Sequence, residues 1–367
     1  MGSLIYKLTH LLFRLSLRIA APFNEKASAF VKGRSDLFKE LSETFANNSA
    51  PVIWFHCASL GEFEQGRPVI EHFKSEYPEF KILLTFFSPS GFTVRKDYDG
   101  ADFVFYLPVD TSTKAKKFIR IVKPSVAIFV KYEFWHYYIR TLKENRVPIL
   151  SISSIFRPSQ IYFSILGGFH RKILKNISRF FVQNDKSQEL LTKIGINNIT
   201  VAGDTRFDRV YEICQKVQRT KELEEFKRPK KLMVVGSCWQ EDMNIVSPFI
   251  NHHDMRFIIA PHEIGESFLN AIEESIEKQC IRYSEFVKNG RTDCDILIID
   301  NIGMLSSLYS YADYAYVGGA FGAGLHNILE PATFGLPIIF GNKNYSKFNE
   351  AQDLIKLGSA LCMLASS

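Results

Sequence analysis

The chain has 367 residues, of which 46% are hydrophobic and 23% are charged. This composition is typical of an ordinary globular protein, and the length predicts two domains. The net charge of +6 is too small to indicate nucleic-acid binding, although it suits an anionic substrate or an acidic membrane surface. The six cysteines have no paired spacing, so they indicate neither a disulfide framework nor a zinc knuckle and favour a reducing compartment.

Residues 1–22 form a separate N-terminal segment, which we predict to be an amphipathic helix. One face carries basic side chains at intervals of three or four residues: Lys7, His10, Arg14 and Arg18. The opposite face carries Leu4, Leu8, Leu11, Leu12, Leu15 and Ile19. The segment lacks both the ~20 uninterrupted apolar residues of a spanning helix and a signal-peptide cleavage site. Two interpretations are open, a helix lying in an anionic membrane surface and a helix packed on the protein's own core.

From Pro51 onward, short apolar runs alternate with helical patterns, which predicts an α/β fold with parallel sheets. The first series of predicted strands covers residues 52–56, 82–87, 103–107, 126–130, 149–152, 180–182 and 199–201. The second series covers residues 232–235, 257–259, 296–299, 315–317 and 337–340. Residues 211–231 are polar and charge-dense, so we predict a linker there between domains at 23–210 and 232–367. Two doubly wound, Rossmann-like domains that face each other leave a cleft, because ligands bind at the carboxyl ends of parallel strands.

The segment after the first predicted strand contains a candidate base. Ser59 is placed to cap the following helix, Gly61 permits close approach of a ligand, and Glu62 falls in the first helical turn. A carboxylate at that position is either a capping residue or a general base, and the sequence leaves both open. Because a helix N-terminus stabilises negative charge, we expect a lowered pKa for Glu62.

Two further strand ends of the first domain carry polar side chains. Ser88 and Ser90 open a helix that also contains Arg95, which suits a bound phosphate or carboxylate, or else a capped helix with a surface cation. Lys131 and Glu133 follow the fourth strand beside bulky aromatic residues, where they form either part of a site or a structural ion pair.

The second domain contains a glycine-rich segment at residues 318–341. Gly318 and Gly319 directly follow a predicted strand, where glycines let backbone N–H groups approach a ligand closely. We expect Asn327 and Glu330 to share one face of the first helical turn, where a carboxylate can accept from a pair of sugar hydroxyl groups. The alternative is a glycine-rich turn with a capping asparagine.

Other strand ends in the second domain present Ser237, His262 and the pair Gly303 and Met304. Arg206 lies near the domain boundary, from which we expect it to reach the cleft. Each of these signals is weak alone, but their shared position after strands favours a single two-substrate site.

Several of these motifs together resemble the 3-deoxy-D-manno-octulosonic acid (Kdo) transferases of lipopolysaccharide biosynthesis. The combination consists of Ala58-Ser59-x-Gly61-Glu62, Glu133-Phe134-Trp135, Gly236-Ser237, Gly318-Gly319 and His326-Asn327-x-Leu329-Glu330-Pro331. The resemblance covers nearly the whole chain, and the combination is more specific than the last motif, which other nucleotide-sugar transferases share in looser form.

The resemblance implies a GT-B glycosyltransferase that transfers Kdo from CMP-Kdo to a lipid A precursor with inversion, on the cytoplasmic face of the bacterial inner membrane. By position, Glu62 matches the family's proposed base and Glu133 matches a second essential acid. The residues assigned to the CMP-Kdo side are Ser237, His262, Gly303, Met304, Gly318, Gly319, Asn327 and Glu330. The anion and acceptor contacts are Ser59, Gly61, Ser88, Ser90, Arg95, Lys131 and Arg206. CMP-Kdo is then a co-substrate, and no cofactor, metal or nucleic-acid partner is expected.

The chain departs from the family pattern at two places. It has Gly324-Leu325-His326-Asn327 where the family commonly has Gly-Gly-His-Asn, and Pro261-His262-Glu263 where an Arg-His pair is common. A cationic donor contact is therefore either missing or supplied by Arg206. Because relatives continue beyond the position of Ser367, we expect a C-terminally truncated second domain.

Rival interpretations are a GT-B transferase that uses another nucleotide sugar, a catalytically impaired nucleotide-binding paralogue, and a membrane-associated interaction protein. The sequence does not determine the number of Kdo residues added, the acceptor's acylation or the oligomeric state.

Overall fold

The computed structural model describes residues 2–215, 217, 219–227, 229–289, 294–322 and 324–363. Several predicted positions lie outside this set, namely Ala323 of the glycine-rich segment, Lys216, Gln218 and Arg228 of the linker, and the last four residues of the second domain. The chain divides into two compact units, of which unit 1 ends at Arg206 and unit 2 begins at Phe207.

Unit 1 is built on a parallel sheet of seven strands. These are β1 (Val52–Cys57), β2 (Lys81–Phe86), β3 (Phe103–Tyr106), β4 (Pro124–Val130), β5 (Ile149–Ser154), β6 (Arg179–Val182) and β7 (Ile199–Val201). Its helices are α1 (Gly2–Ala20), α2 (Glu25–Lys32), α3 (Leu37–Phe45), α4 (Leu60–Glu76), α5 (Pro89–Arg95), α6 (Ser112–Val122), α7 (His136–Glu144), α8 (Gly168–Leu174) and α9 (Asp185–Lys193), with 3-10 turns at Ile161–Phe163 and Ile165–Gly167. The strand order is β3-β2-β1-β4-β5-β6-β7, so the chain reverses direction across the sheet after β3.

Unit 2 repeats this architecture with a second parallel seven-stranded sheet. Its strands are β8 (Leu232–Cys238), β9 (Arg256–Pro261), β10 (Cys280–Arg282), β11 (Ile296–Ile298), β12 (Tyr314–Val317), β13 (Ile338–Gly341) and β14 (Ala360–Met363). The helices are α10 (Thr205–Gln215), which crosses the unit boundary, α11 (Lys221–Lys227), α12 (Gln240–His252), α13 (Glu266–Ser275), α14 (Tyr283–Asn289), α15 (Leu305–Leu308), α16 (Leu329–Thr333) and α17 (Asn349–Lys356), with a 3-10 turn at Tyr309–Tyr311. The order is β10-β11-β9-β8-β12-β13-β14.

The predicted α/β class is confirmed, and each predicted strand is present. All six residues of β1 are buried, because a central strand of a parallel sheet is covered by helices on both faces. Because of this burial, the sequences of the central strands are continuous apolar runs, which is why these strands could be predicted. Strands β10 and β14 were not predicted. Both are edge strands of only three or four residues with partly exposed side chains, so neither forms a long apolar run in the sequence.

Helix α1 packs on unit 1 through aromatic side chains rather than through its leucines. The Tyr6 hydroxyl group donates to Asp110 Oδ2 at 2.6 Å, and the Phe13 ring packs against Phe30 and Phe87. The leucine-rich face points to solvent, and more than half of the Leu4, Leu8, Leu11, Leu12, Leu15 and Ile19 side chains is exposed. No described helix is both long enough and apolar enough to cross a membrane.

Candidate functional site

The Glu62 carboxylate lies at the start of α4, where the chain leaves the central strand β1. Glu62 is only 6% exposed, and its Oε2 accepts a hydrogen bond from the Ser59 backbone N–H at 3.0 Å. This is the capping contact that the sequence left open as an alternative to a base. Gly61 borders open space, since a β-carbon built on it would meet nothing within 4 Å.

Burial raises the pKa of Glu62 above its ordinary value, although Lys131 and backbone hydrogen bonds act in the opposite direction. The expected lowering of this pKa is therefore wrong. Removing water from the carboxylate outweighs the stabilisation offered by the helix N-terminus. A raised pKa makes Glu62 a stronger base than its position in the sequence indicated.

The segment after β4 carries Lys131 and Glu133 and is held by two serines of β5. Ser154 Oγ donates to the Lys131 carbonyl oxygen at 2.7 Å, and Ser151 Oγ donates to the same oxygen at 3.3 Å. These contacts stabilise a left-handed φ of 64° at Lys131, which is unfavourable for a residue other than glycine.

Glu133 shares the electrostatic environment of Glu62. Burial raises the pKa of Glu133 to about 7, and the negative charge of Glu62 contributes to the rise. Burial lowers the pKa of Lys131, while the Glu62 carboxylate acts against that lowering. Two carboxyl groups with raised pKa values and one buried ammonium group therefore lie together, an arrangement typical of functional sites.

A buried histidine fixes the aromatic residue beside this segment. His56 Nδ1 lies 3.1 Å from the Thr85 carbonyl oxygen, and His56 Nε2 lies 3.1 Å from Trp135 Nε1. An indole N–H can only donate, so Nε2 accepts and Nδ1 carries the proton. Burial lowers the pKa of His56 to about 3, which keeps the ring neutral. His56 was not predicted as a site residue; the available signal was a polar residue inside an apolar strand.

Arg206 is paired within unit 1. Its Nη2 lies 2.7 Å from Asp204 Oδ2, and Gln65 Nε2 donates to Asp204 Oδ1 at 3.2 Å. The positive charge of Arg206 also contributes to the lowered pKa of Lys131. The structure therefore places Arg206 near Lys131.

The predicted anion contacts after β2 separate into two groups. Ser88 and Ser90 lie together, with their hydroxyl oxygens 2.8 Å apart, and the Ser88 N–H donates to the Ala58 carbonyl oxygen beside the start of α4. Arg95 instead donates from Nη2 to Glu64 Oε1 at 2.8 Å and joins α5 to α4. The sequence did not predict this ion pair between α5 and α4, and the role of Arg95 as an anion contact stays a prediction.

In unit 2, Asp242 organises the strand ends that carry Ser237, Gly318 and Gly319. The buried Asp242 carboxylate accepts hydrogen bonds from the Gly319 N–H at 2.9 Å, the Trp239 N–H at 2.9 Å and the Tyr316 hydroxyl group at 2.8 Å. A β-carbon on Gly318 would lie 2.4 Å from the Ser237 carbonyl oxygen, so only glycine fits there. Asp242 was not predicted as a site residue, although its place in the first turn of a helix was a signal.

Asn327 and Glu330 contact each other as expected, but not within one helical turn. Helix α16 begins at Leu329, so Asn327 precedes it, and Asn327 Nδ2 donates to Glu330 Oε1 at 2.9 Å. Ser306 Oγ donates to the other oxygen, Oε2, at 2.7 Å. Ser306 lies in α15, close after Gly303 and Met304, so the segments that follow β11 and β12 are in contact at Glu330.

Three aromatic rings stack at the ends of β8, β9 and β12. The His262 ring lies 4.4 Å from both the Trp239 and the His326 ring, measured between centroids. Trp239 Nε1 donates to His326 Nε2 at 2.8 Å, which places the His326 proton on Nδ1. Burial lowers the pKa of His326 and favours the neutral ring. Trp239 was not predicted; its signal was a bulky aromatic directly after a strand.

Solved structures of similar architecture define the fold class. UDP-GlcNAc 2-epimerase from Neisseria meningitidis matches with a TM-score of 0.56 and 12% identity, over 86% of this chain and 88% of that chain. MurG from Acinetobacter baumannii matches with a TM-score of 0.52 and 11% identity, over 86% of this chain and 85% of that chain. Together with the strand orders, these similarities identify two Rossmann-like domains of the GT-B type.

Sequence comparison shows which proteins the chain is similar to. Residues 33–209 match the family described as 3-deoxy-D-manno-octulosonic-acid transferase (kdotransferase). The chain is 29% identical over 327 residues to the 3-deoxy-D-manno-octulosonic acid transferase of Chlamydophila psittaci, covering 86% of this chain and 75% of the relative. It is 28% identical over 317 residues to the enzyme of the same name from Aquifex aeolicus, covering 84% of this chain and 81% of the relative. The predicted resemblance to the Kdo transferases is confirmed by the family match over residues 33–209 and by these relatives.

Proposed function

We propose that the chain transfers Kdo from CMP-Kdo to the glucosamine disaccharide of a lipid A precursor, with inversion and without a metal ion. The reaction would take place on the cytoplasmic face of the bacterial inner membrane. The observation that supports this best is the buried Glu62 carboxylate, which lies beside Lys131 and Glu133 at the carboxyl end of β1 and has a raised pKa.

Glu62 is the proposed general base. In its ionised form it accepts the proton of an acceptor hydroxyl group, whose oxygen then attacks the anomeric carbon of Kdo while CMP leaves. A raised pKa increases the driving force for this proton transfer. The nearby Lys131 ammonium group favours the ionised form, so the carboxylate remains available as a base despite its burial.

The strand ends of unit 2 are the proposed donor site. Gly318 and Gly319 allow the close packing of the chain at the end of β12, where both are buried, and Glu330 presents a carboxylate that Asn327 and Ser306 hold in place. A carboxylate of this kind can accept from the two ribose hydroxyl groups of CMP. Backbone N–H groups and cationic side chains would stabilise the phosphate of the leaving CMP.

The exposed leucine face of α1 supports a membrane location. An apolar helix face next to basic side chains can lie in an anionic bilayer surface, with the leucines in the acyl region. Such a position would bring unit 1 to the lipid acceptor.

The proposal is tested with the variant Glu62→Gln, which keeps the shape of the side chain but cannot take up the proton. We expect transfer from CMP-Kdo to a tetra-acylated lipid A precursor, measured by product mass, to fall ~10²–10⁴-fold, while CMP binding is unchanged. The matched control is Glu76→Gln at the exposed C-terminal end of the same helix, which should transfer Kdo at the normal rate. Normal turnover by Glu62→Gln would remove Glu62 from the mechanism, and the absence of product from the unaltered chain would overturn the proposed function.

A further inference from the structure

Four polar side chains form a hydrogen-bonded network within the apolar core of unit 1, near the carboxyl end of β1. Trp54, His56 and Thr85 are fully buried. Trp54 Nε1 donates to Thr85 Oγ1 at 2.8 Å, and His56 Nδ1 lies 2.9 Å from the same oxygen. Trp135 joins the network by donating from Nε1 to His56 Nε2 at 3.1 Å. Buried polar groups destabilise the fold unless they are paired, so a paired network of this kind fixes the directions of its members.

The network links β1 to the segment that carries Glu133. Trp135 directly precedes α7, which begins at His136, and its ring packs on Phe87 with the centroids 4.6 Å apart. The neutral His56 ring keeps the lone pair of Nε2 for the Trp135 indole group, because Nδ1 carries the proton towards Thr85. The two aromatic side chains are therefore held in one relative orientation at neutral pH.

The Glu133 carboxyl group depends on its neighbours for its position. Among the described residues, none donates a hydrogen bond to it. Two residues before it, the Lys131 N–H donates to the Ile152 carbonyl oxygen at 2.9 Å. Two residues after it, the Trp135 indole group is held by His56. These two anchors fix the ends of the short stretch that contains Glu133.

We infer that His56 is a positioning residue for Kdo transfer, since it fixes Trp135 and thereby holds the Glu133 carboxyl group beside Glu62. His56 acts through Trp135 and needs no contact with the substrates. The consequences for turnover rest on the proposed function, but the position of Glu133 is measurable without CMP-Kdo.

The proton of Glu133 reports on that position. Glu62 of α4 and Tyr162 of the turn at Ile161–Phe163 face Glu133 from other elements, and Lys131 and Tyr132 are its titratable neighbours along the chain. Burial, with a contribution from the Glu62 charge, raises the pKa of Glu133 to about 7. Loss of an anchor would admit water to the carboxyl group, so we expect its pKa to fall towards the ordinary value of 4.5.

The test compares two substitutions that each remove an indole N–H group from the network. Trp135→Phe breaks the link to His56, whereas Trp54→Phe breaks only the contact with Thr85 and is the matched control. We expect Trp135→Phe to lower kcat for Kdo transfer about 10–100-fold, as a displacement of ~1 Å does, with CMP binding unchanged. Trp54→Phe should leave kcat nearly unchanged. Equal losses in the two variants would overturn the inference, because they would show that only core packing matters.

Substitutions of His56 itself test the same contact from the other side. His56→Leu removes the acceptor and should lower kcat as Trp135→Phe does, while His56→Gln supplies an amide oxygen for the indole group and should retain most of the activity. The double variant His56→Leu/Trp135→Phe should lose no more activity than the weaker single variant, because both changes remove one contact. Additive losses would contradict a role that acts through Trp135.

Urea denaturation tests the position of Glu133 without any substrate. In the unaltered background and in Trp54→Phe, the stabilising effect of Glu133→Gln should grow as the pH rises from 4.5 through about 7. In the Trp135→Phe background this pH dependence should shrink by at least about half, because the folded and unfolded pKa values of Glu133 become similar. An undiminished pH dependence there would overturn the inference. A diminished pH dependence in a chain that does not transfer Kdo would support the positioning role of His56 and overturn only the proposed function.

Discussion

Two carboxyl groups in unit 1 show how burial sets the chemistry of single side chains. Glu62 and Glu133 are separated along the chain by the rest of α4, by strands β2, β3 and β4 and by helices α5 and α6, yet the charge of Glu62 contributes to the raised pKa of Glu133. At Glu62 the positive charge of Lys131 lowers the pKa and so offsets part of the effect of burial. At Glu133 burial and the charge of Glu62 both raise the pKa. This difference favours Glu62 as the ionised base and leaves Glu133 partly protonated at neutral pH.

The raised pKa of Glu133 predicts a pH-dependent stability. The folded protein holds this proton more tightly than the unfolded chain, so the stabilisation is complete below the ordinary pKa of 4.5 and is lost as the pH rises through about 7. We expect Glu133→Gln to raise the free energy of unfolding by roughly 1–3 kcal/mol at about pH 8.5, and by much less at about pH 5. Urea denaturation at the two pH values measures this. A constant difference between variant and unaltered chain would contradict the assigned pKa.

The first turn of α4 and the end of β8 both contain glycines, but for different reasons. At Gly236 a β-carbon would lie 2.1 Å from the Tyr309 hydroxyl oxygen, so internal packing requires glycine. At Gly61 a β-carbon would meet nothing within 4 Å, so nothing in the fold requires it. We attribute Gly61 to the close approach of a substrate beside Glu62.

This contrast predicts opposite effects of the same substitution. Gly61→Ala should raise the free energy of unfolding by up to about 1 kcal/mol, because alanine is the better helix former, and should lower kcat/KM for Kdo transfer. Gly236→Ala should lower the free energy of unfolding by about 1–3 kcal/mol through overpacking. Thermal unfolding and transfer kinetics check both. Normal Kdo transfer by Gly61→Ala would show that no substrate approaches the chain closely at that position.

Taken whole, the described part of the molecule comprises two units that each have a seven-stranded parallel sheet and their own buried core. The proposed function assigns the donor nucleotide to unit 2 alone. Binding of a nucleotide to the folded state should therefore stabilise the protein, by an amount that grows with the logarithm of the ratio of ligand concentration to Kd.

We expect CMP to raise the melting temperature by about 5–10 °C when its concentration is ~100 times its dissociation constant. UDP at the same concentration should have a smaller effect. The variants Asn327→Ala and Glu330→Gln should lose most of the CMP effect, because they remove the side chains assigned to the nucleotide, whereas Glu76→Gln in unit 1 should keep it. A UDP effect equal to or larger than that of CMP would favour a transferase with another donor.

The sequence by itself determined the two parallel sheets, the positions of the central strands and the strand ends at which Glu62, Glu133, Gly318 and Glu330 lie. These features follow from local apolar runs and from the rule that parallel strands present their carboxyl ends at one edge. It also contained the motif combination that identified the family.

Only the tertiary structure decided the pKa shifts, the hydrogen-bond partners and the exposure of particular residues. The direction of the Glu62 pKa, the role of Asp242 at Gly319, the pairing of Arg95 with Glu64 and the outward leucine face of α1 all depend on distant segments of the chain. A pattern of neighbours along the sequence fixes which secondary structure forms, but desolvation and hydrogen bonding are set by the groups that packing brings alongside.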